Sequence, residues 1–429
     1  MPNKLNHIFL YALTFFISLN LFAQEDYFDS LSIRYNDFIY QSSIHTPQIH
    51  KLGNELSYPF IQLNSNDTIM VQFDDFDEEI QDYYFTVIHC DKNWNPSPLS
   101  YNEYVDGFDD VPVKDHSFSF NTLQSYIHYS LTIPNENLHL KISGNYLVLI
   151  HKNDRTKPVL TLRFFVYEPS TQITATAHQA TLTEYRKTHQ EVDFSIKTGF
   201  PCNNPFAEIS VIISQNFRFD NAISDLQPQF VKDDELLYNY EEGNLFEGGS
   251  EFRWVDAKSI RFQAERIQAI EFQRPLYHYY MYPDEKRTFK VYFQWQDING
   301  KFLVKNSMGR DSRIESDYVY VHFFLPYEAP LANGNFYVAG NFNRWQYNNH
   351  NRMTYNYDKK QYELTLLLKQ GFYDYAYAYL TDKSTKADFG FIEGNHYETE
   401  NDYYIFVYWR NNSFRYDRLV GVKAVNTSR

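Results

Sequence analysis

The densest group of possible metal ligands in this sequence is the acidic run from Asp74 to Glu79, which holds five carboxylates in six residues. Such a run could bind Ca²⁺ if its loop folded the carboxylates inward, but it lacks the glycine and the ligand spacing of a recognised calcium loop. We therefore expect a solvated loop at the end of a strand, and no metal site.

A second possible ligand group is His89-Cys90-Asp91. Neighbouring residues of a strand point to opposite faces, so His89 and Cys90 would not coordinate one ion together, and we predict a buried histidine instead. The only other cysteine is Cys202. We place the two cysteines in different domains, and we favour two buried free thiols over one disulfide bridge.

The common catalytic motifs are absent from the sequence. The sequence has no His-Glu-x-x-His, no Gly-x-Ser-x-Gly, no phosphate-binding glycine loop and no Cys-x-x-Cys. A glycosidase would need two carboxylates at a controlled separation, and nothing among the 54 acidic residues nominates a pair. The sequence therefore predicts a protein that is not an enzyme, with no catalytic residue and no cofactor.

Aromatic residues are unusually abundant, with 38 Tyr, 37 Phe and 5 Trp among 429 residues. Most fall in alternating runs, the two-residue period of half-buried strands, so the composition predicts rigid β-sandwiches. A minority of exposed rings should form a contact surface, because tyrosine and phenylalanine are enriched in protein interfaces. The formal charge of −15 argues against a nucleic-acid partner, since phosphate binding depends on lysine and arginine.

The amino terminus resembles an export signal. Lys4 and His7 precede an apolar stretch of about 15 residues from Ile8 to Phe22, shorter than the roughly 20 residues of a membrane-spanning helix. We predict a signal peptide over residues 1–23, cleaved near Ala23, with an uncleaved anchor as the alternative. The mature chain should then be exported, soluble and without a membrane span of its own.

Strands are predicted along the rest of the chain, at the following positions: Thr68–Phe73, Tyr83–Cys90, Asn145–Ile150, Leu160–Tyr167, Glu191–Lys197, Glu208–Ser214, Tyr318–Leu325, Phe336–Ala339, Tyr362–Leu368, Tyr373–Leu380 and Tyr403–Trp409. Three of them, Tyr83–Cys90, Asn145–Ile150 and Leu160–Tyr167, have so few polar residues that we expect burial on both faces. Residues 289–304 alternate up to Asn299-Gly300, which predicts a hairpin. For residues 256–272 we favour a strand over a helix, because Ile260, Phe262 and Ala264 alternate.

Breaks in this pattern predict an all-β chain of tandem immunoglobulin-like or E-set sandwiches. The first domain would span residues 24–168 and end at Glu168-Pro169. The second would span residues 169–326, ending at Pro326. The third, residues 327–429, would be one compact sandwich.

The third domain carries a local resemblance. Tyr337–Trp345 and Gly371–Tyr375 resemble the glycogen- and starch-binding sandwich modules that accompany amylolytic enzymes. In that family the tryptophan that matches Trp345 stacks on a sugar ring. Ala376 replaces the sugar-contacting lysine of those modules, and no second tryptophan follows within residues 380–391. Trp345 is therefore a candidate for glycan stacking, with a packing role as the alternative.

A second resemblance covers almost the whole mature chain. It is carried by an ordered series of segments: Tyr40–Pro47, Gly53–Pro59, Leu63–Asp67, Phe73–Asp77, Tyr84–Ser97, Phe118–Asn121, Leu131–Glu136, Ser143–Tyr146 and Glu398–Tyr403. This series resembles the plug proteins of the type IX secretion system.

The plug resemblance implies a periplasmic protein that binds the periplasmic opening of a very large outer-membrane translocon barrel. It would seal the pore while no cargo is engaged, and the resemblance supplies no catalytic or contact residue. We expect exposed tyrosines and phenylalanines between Tyr83 and Phe120 to contact the barrel, because rings are dense there. The alternative is an exported glycan-binding envelope protein that uses the third domain.

Overall fold

Strands make up nearly all the regular structure in this computed structural model, which describes residues 32–411 and 413–427. The predicted signal peptide lies outside the described residues. No described helix is long and apolar enough to cross a membrane. The fold is all-β, as the aromatic alternation predicts.

Twelve strands lie in the first part of the chain: β1 (Phe38–Ile39), β2 (Ile44–Lys51), β3 (Phe60–Gln62), β4 (Ile69–Asp75), β5 (Tyr84–Cys90), β6 (Val105–Gly107), β7 (Val111–Pro112), β8 (Asp115–Phe118), β9 (Ile127–Ile133), β10 (Leu138–Leu140), β11 (Gly144–His151) and β12 (Pro158–Tyr167). The short helix α1 (Tyr101–Tyr104) interrupts them.

The next twelve strands are β13 (Thr171–Gln179), β14 (His189–Thr198), β15 (Ile209–Gln215), β16 (Arg218–Ser224), β17 (Phe230–Lys232), β18 (Glu235–Tyr238), β19 (Leu245–Glu247), β20 (Arg253–Asp256), β21 (Ile267–Gln273), β22 (Leu276–Met281), β23 (Phe302–Val304) and β24 (Tyr318–Pro326). Single helical turns occur at α2 (Pro205–Glu208) and α3 (Ser312–Glu315).

The last six strands are β25 (Asn335–Ala339), β26 (Thr354–Asn356), β27 (Gln361–Lys369), β28 (Gly371–Leu380), β29 (Asp402–Trp409) and β30 (Arg418–Asn426). A 3₁₀ turn covers Asn341–Asn343, and α4 covers Gly390–Glu393. All eleven strands predicted from the sequence are confirmed to within a few residues.

The first part of the chain forms a sandwich of its own. Its inner sheet has the strand order β1-β12-β11-β5-β7, with β3 beside β12, and its outer sheet has the order β2-β4-β9-β8. A third, two-stranded sheet pairs β10 with β6. Phe73, Tyr129, Tyr146 and Phe164 fill the core between the two larger sheets. All these sheets lie within residues 38–167.

Three of the four remaining sheets cross the domain boundary that we expected at residue 326. One sheet has the order β16-β15-β29-β30, so β29 pairs with β15, which lies some 200 residues earlier, and β30 pairs with β29. Another places β20 beside β28. Residues 327–429 therefore do not form one compact sandwich by themselves. The prediction of a separate third domain was wrong because β29 has apolar side chains on both of its faces, and each face must pack against another sheet.

The strand β29 joins two cores into a stack of four sheets. Its residues Tyr403, Ile405 and Val407 pack against the sheet β13-β14-β18-β17. Its residues Phe406 and Tyr408 pack against the inner sheet of the first sandwich. That inner sheet is thereby covered on both faces, and every residue of β11 is buried. The predicted two-sided burial is confirmed for β11.

A third sandwich completes the molecule. It packs the sheet β21-β22-β24-β27-β26 against a sheet in which β28 pairs with β20, β23 and β25. Its core includes Tyr279, Phe323, Tyr373 and Tyr375. Met281 also lies in this core.

Two local predictions were wrong. Asp256 ends β20, residues 257–266 form turns, bends and irregular structure rather than a strand, and β21 begins only at Ile267. The predicted hairpin over residues 289–304 is also missing its first arm. Asn299 and Gly300 do make the tight turn, with φ of 54° and 77°. However, β23 pairs with β28 and not with residues 289–296.

Candidate partner-binding surface

The acidic run that we expected to be a solvated loop begins inside a buried strand. Asp74 and Asp75 are the last residues of β4, and both are fully buried. Asp75 Oδ2 accepts a hydrogen bond of 2.6 Å from the Tyr83 hydroxyl. The expectation failed for these two residues, whose partners come from elsewhere in the fold, whereas Glu78 and Glu79 lie in an exposed loop directly after β4.

Asp74 is the centre of a buried polar network that joins the first sandwich to the third. Its Oδ2 lies 2.5 Å from Lys369 Nζ and accepts a 2.6 Å hydrogen bond from the Tyr318 hydroxyl. Its Oδ1 lies 2.7 Å from His128 Nδ1. Burial alone would raise the pKa of Asp74, but Lys369 and His128 together hold it below its usual value. The carboxylate is therefore ionised, and it works as a structural anchor.

His89 is buried, as predicted. Its Nε2 lies 3.2 Å from the Ser143 carbonyl oxygen, and its ring packs edge-on against Tyr146. Burial lowers the pKa of His89 to about 4. Both cysteines are free, as favoured, although Cys202 is only partly buried. Burial raises the pKa of the Cys90 thiol to about 12, so neither His89 nor Cys90 is poised for chemistry.

One group within residues 32–411 and 413–427 brings three possible metal ligands within 4.8 Å of one another: His178, Glu191 and Asp193. Each already has a partner in the chain. Asp193 Oδ2 lies 3.0 Å from His178 Nε2, and Glu191 Oε2 accepts from the Thr181 amide at 2.8 Å. Burial opposes ionisation of His178, but the hydrogen bond to Asp193 raises its pKa above the usual value. The group is an ion pair at the edge of β13 and β14.

Trp345, the candidate for glycan stacking, is only 8% exposed. The Arg218 guanidinium carbon lies 5.0 Å from the centre of its ring, and Phe252 packs beside it. Gly300 also touches the ring, since a Cβ built there would lie 2.6 Å from Trp345 Cη2. These contacts describe the packing role that was the alternative to sugar binding.

Trp345 also lines a cavity of about 380 Å³ between the first sandwich and the rest of the molecule. Tyr58 and Phe165 contribute its apolar wall, and Arg163 and Lys301 contribute charge. A cavity of this size falls in the lower range of small-molecule sites. Sequence reasoning did not find it, because its walls come from segments almost 300 residues apart.

The first sandwich keeps three phenylalanines in contact with solvent. Phe108, Phe118 and Phe120 are between 57% and 66% exposed. Phe118 ends β8, an edge strand whose four residues are all exposed. By contrast Tyr83, at the other end of the stretch singled out from the sequence, is buried. We call Phe118 and Phe120, two residues apart at and just beyond the end of β8, the phenylalanine surface.

Comparison with known proteins identifies the family. A hypothetical protein from Parabacteroides merdae ATCC 43184, solved at 2.30 Å, is 33% identical over 92% of this chain and 100% of its own, with a TM-score of 0.89. Residues 44–168 match the type 9 secretion system plug protein 1st domain. The chain belongs to the type IX secretion plug family. The match covers β2 to β12, the sandwich that carries the phenylalanine surface.

Membership of the plug family gives the chain a role related to type IX secretion in the cell envelope. No curated protein matches the chain. The C-terminal domain of the AgI/II polypeptide BspA from Streptococcus agalactiae aligns over 89% of this chain and 100% of its own, at 8% identity. Its TM-score is 0.15, which is too low to support any structural argument.

Proposed function

We propose that this chain is a non-enzymatic plug: it binds the periplasmic opening of the large outer-membrane barrel of the type IX secretion system and seals the pore between cargo events. The observation that carries the proposal is the phenylalanine surface on the sandwich that matches the plug family. Large aromatic side chains left in water are typical of sites that another protein covers.

Rigidity also supports this function. A seal must resist deformation, and the four-sheet stack removes the hinge that a chain of separate domains would have. Two cores share β29, and the buried Asp74–Lys369 pair fixes the third sandwich to the first. The plug would then leave the barrel only when cargo or another subunit binds the barrel more favourably than the plug does.

The test is an affinity pull-down of the tagged, exported protein from detergent-solubilised envelope. We expect one very large outer-membrane barrel at near-stoichiometric yield. The double variant Phe118→Glu/Phe120→Glu should lose the barrel, whereas Phe230→Glu, an equally exposed control on β17, should keep it. Recovery of no barrel by the unmodified protein would refute the plug function.

Sealing itself needs a cellular measurement. A strain that lacks this protein should admit a large antibiotic that an intact outer membrane excludes. The unmodified gene and the Phe230→Glu control should restore exclusion, and Phe118→Glu/Phe120→Glu should not. Equal exclusion with and without the protein would show that binding does not close a pore.

A second candidate function is glycan binding, favoured by the cavity beside Trp345. A sugar that entered this cavity would change the tryptophan fluorescence and raise the melting temperature. A panel of soluble glycans measured against the unmodified protein and Trp345→Phe decides the point. No change with any glycan rules this function out.

A further inference from the structure

A polar row crosses four strands on the outer face of the third sandwich. Glu271 of β21 pairs directly with His278 of β22, and His322 of β24 pairs directly with Thr365 of β27. The strands β22 and β24 are parallel neighbours. Tyr279 belongs to the core of this sandwich, so its strand neighbour His278 points the other way, toward solvent. Both histidines are partly exposed, and Glu271 and Thr365 are exposed.

The two imidazole rings face each other with one nitrogen each. His278 Nδ1 lies 2.8 Å from His322 Nε2, which is a hydrogen-bond distance. One of these nitrogens therefore carries the shared proton, and the other offers a lone pair. On its far side, His322 Nδ1 lies 2.9 Å from Thr365 Oγ1. Because a hydroxyl can donate or accept, Thr365 holds the His322 ring in either tautomer.

Tyrosines fix the orientation of both rings. Tyr280 stacks on His322 with the ring centres 4.4 Å apart and the planes 7° apart. Tyr320 packs against His278 with the ring centres 4.9 Å apart. The two imidazoles are themselves nearly parallel, with 19° between their planes. The pair is thus positioned by its neighbours, and metal-ligating histidines depend on such support.

Glu271 is the carboxylate that can complete a metal site here. It is exposed, its Oε2 accepts a 2.9 Å hydrogen bond from Gln273 Nε2, and among the described residues it pairs with no cation. Glu363, on the other side of the histidine pair, is already engaged by Lys359 at 3.2 Å. The Glu271 carboxylate does not lie within 4.8 Å of both facing nitrogens, so its side chain must turn toward them. The Cβ atoms of directly opposed residues are about 5 Å apart, which is within reach of a glutamate.

We infer that Glu271, His278 and His322 bind one Zn²⁺ ion, with water in the fourth position. Two imidazoles and a carboxylate are a ligand set that zinc uses. The shared proton moves to the other nitrogen of its own ring, so both rings stay neutral and both facing nitrogens coordinate the ion. Zinc–nitrogen bonds of about 2.0–2.1 Å at tetrahedral angles place the two nitrogens about 3.3 Å apart, so the rings separate by about half an ångström. The site is additional to the plug function and does not depend on it.

The group of His178, Glu191 and Asp193 is a poorer zinc site. Its carboxylates are bonded to their surroundings, since the Asn244 side-chain amide donates to Asp193 at 3.0 Å and the Thr181 amide donates to Glu191 at 2.8 Å. An ion there would have to break several such bonds. In the polar row it replaces only the bond between the two rings and the one from the exposed Gln273.

Zinc titration of the exported protein, purified without a histidine tag and followed by calorimetry, tests the site. We expect one Zn²⁺ per chain and no binding of Ca²⁺, which prefers oxygen ligands. His278→Gln and His322→Gln should each abolish binding. Glu271→Gln and Thr365→Val should each weaken it by roughly tenfold or more. The matched control, His178→Gln, should bind zinc like the unmodified protein.

Melting temperatures measured without metal show whether each variant folds. In a crystal soaked in zinc chloride, the anomalous signal should lie between His278 and His322. The inference is overturned if the unmodified protein binds no zinc, in which case the two rings are a hydrogen-bonded pair only. It is equally overturned if His178→Gln abolishes binding while His278→Gln retains it. Recovery of the barrel in the pull-down is a separate measurement, so failure of the plug function and failure of the zinc site are distinguishable.

Discussion

Lys369 Nζ lies 2.5 Å from Asp74 Oδ2, and each side chain is 1% exposed. The two residues are 295 positions apart and belong to different sandwiches. Removal of one member of such a pair leaves a charge without compensation inside the protein, which costs far more than loss of a surface pair. The pair therefore couples the first sandwich to the third.

We expect Lys369→Met to lower the free energy of unfolding by about 3–5 kcal/mol, because Asp74 would remain buried without its cation. Urea unfolding followed by tryptophan fluorescence measures this. Lys359→Met is the matched control: Lys359 pairs with Glu363 at 3.2 Å on the surface, and its loss should cost less than about 1 kcal/mol. Addition of Asp74→Asn to Lys369→Met should recover part of the loss, and a further decrease would contradict this account.

Acid should weaken the fold through His89. Burial lowers its pKa to about 4 in the folded protein, against 6.5 for the free side chain. The unfolded chain therefore takes up the proton first, and stability present above pH 6.5 is lost as the pH falls toward 4. The difference amounts to on the order of 3 kcal/mol. His322, whose pKa burial also lowers to about 4, acts in the same direction.

Urea unfolding at pH 7.5 and pH 5.0 measures this effect. His89→Gln should lose less stability between the two values than the unmodified protein, while the exposed His350→Gln should behave like the unmodified protein. Identical losses for His89→Gln and the unmodified protein would show that His89 is not the titrating group.

Alkali should weaken the fold through Asp374. Burial, assisted by the charge of Asp297, raises the pKa of Asp374 to about 8, against 3.8 for the free side chain. The stability that this residue contributes is complete below pH 3.8 and is lost as the pH rises toward 8. Asp374→Asn removes the titration but keeps an oxygen to accept from the Ile298 and Gly300 amides.

The stability of Asp374→Asn relative to the unmodified protein should therefore be higher at pH 8.5 than at pH 4.5, by a few kcal/mol. Thermal unfolding at both values measures the gain. Asp382→Asn, at an exposed position, should show no such change. A variant that is weaker at pH 8.5 than at pH 4.5, relative to the unmodified protein, would refute the raised pKa.

Thiol chemistry should be slow at both cysteines. Burial raises the pKa of Cys90 to about 12 and that of Cys202 to about 11, so little thiolate forms at neutral pH. In native buffer at pH 7.5 we expect maleimide to modify the partly buried Cys202 slowly and Cys90 only after unfolding, as read by mass spectrometry. A reductant should leave the melting temperature unchanged, and a decrease would reveal a bridge.

Local patterns in the sequence were enough to place the strands. The apolar run of β11 correctly indicated burial on both faces, because its residues face two cores. The pairing of β29 with β15 could not be predicted, since nothing in either strand specifies a partner some 200 residues away. The hairpin failed for a similar reason: the distant Asp374 accepts from the amides of its turn, and β28 takes its second arm.

The candidate contact surface was predicted only in part. Ring density indicated the stretch from Tyr83 to Phe120, but density does not separate buried Tyr83 from exposed Phe118. Residues 289–296 were predicted to be one arm of a hairpin, and the fold gives them no sheet partner.

The shared strand β29 also limits where the chain can be divided. The region that the plug family model matches ends at residue 168, yet its inner sheet buries Leu147 and Phe165 against Phe406 of β29. A gene fragment that encoded residues 44–168 alone would produce a protein with an uncovered apolar face. The first domain therefore depends on the final strands of the chain to cover its inner sheet.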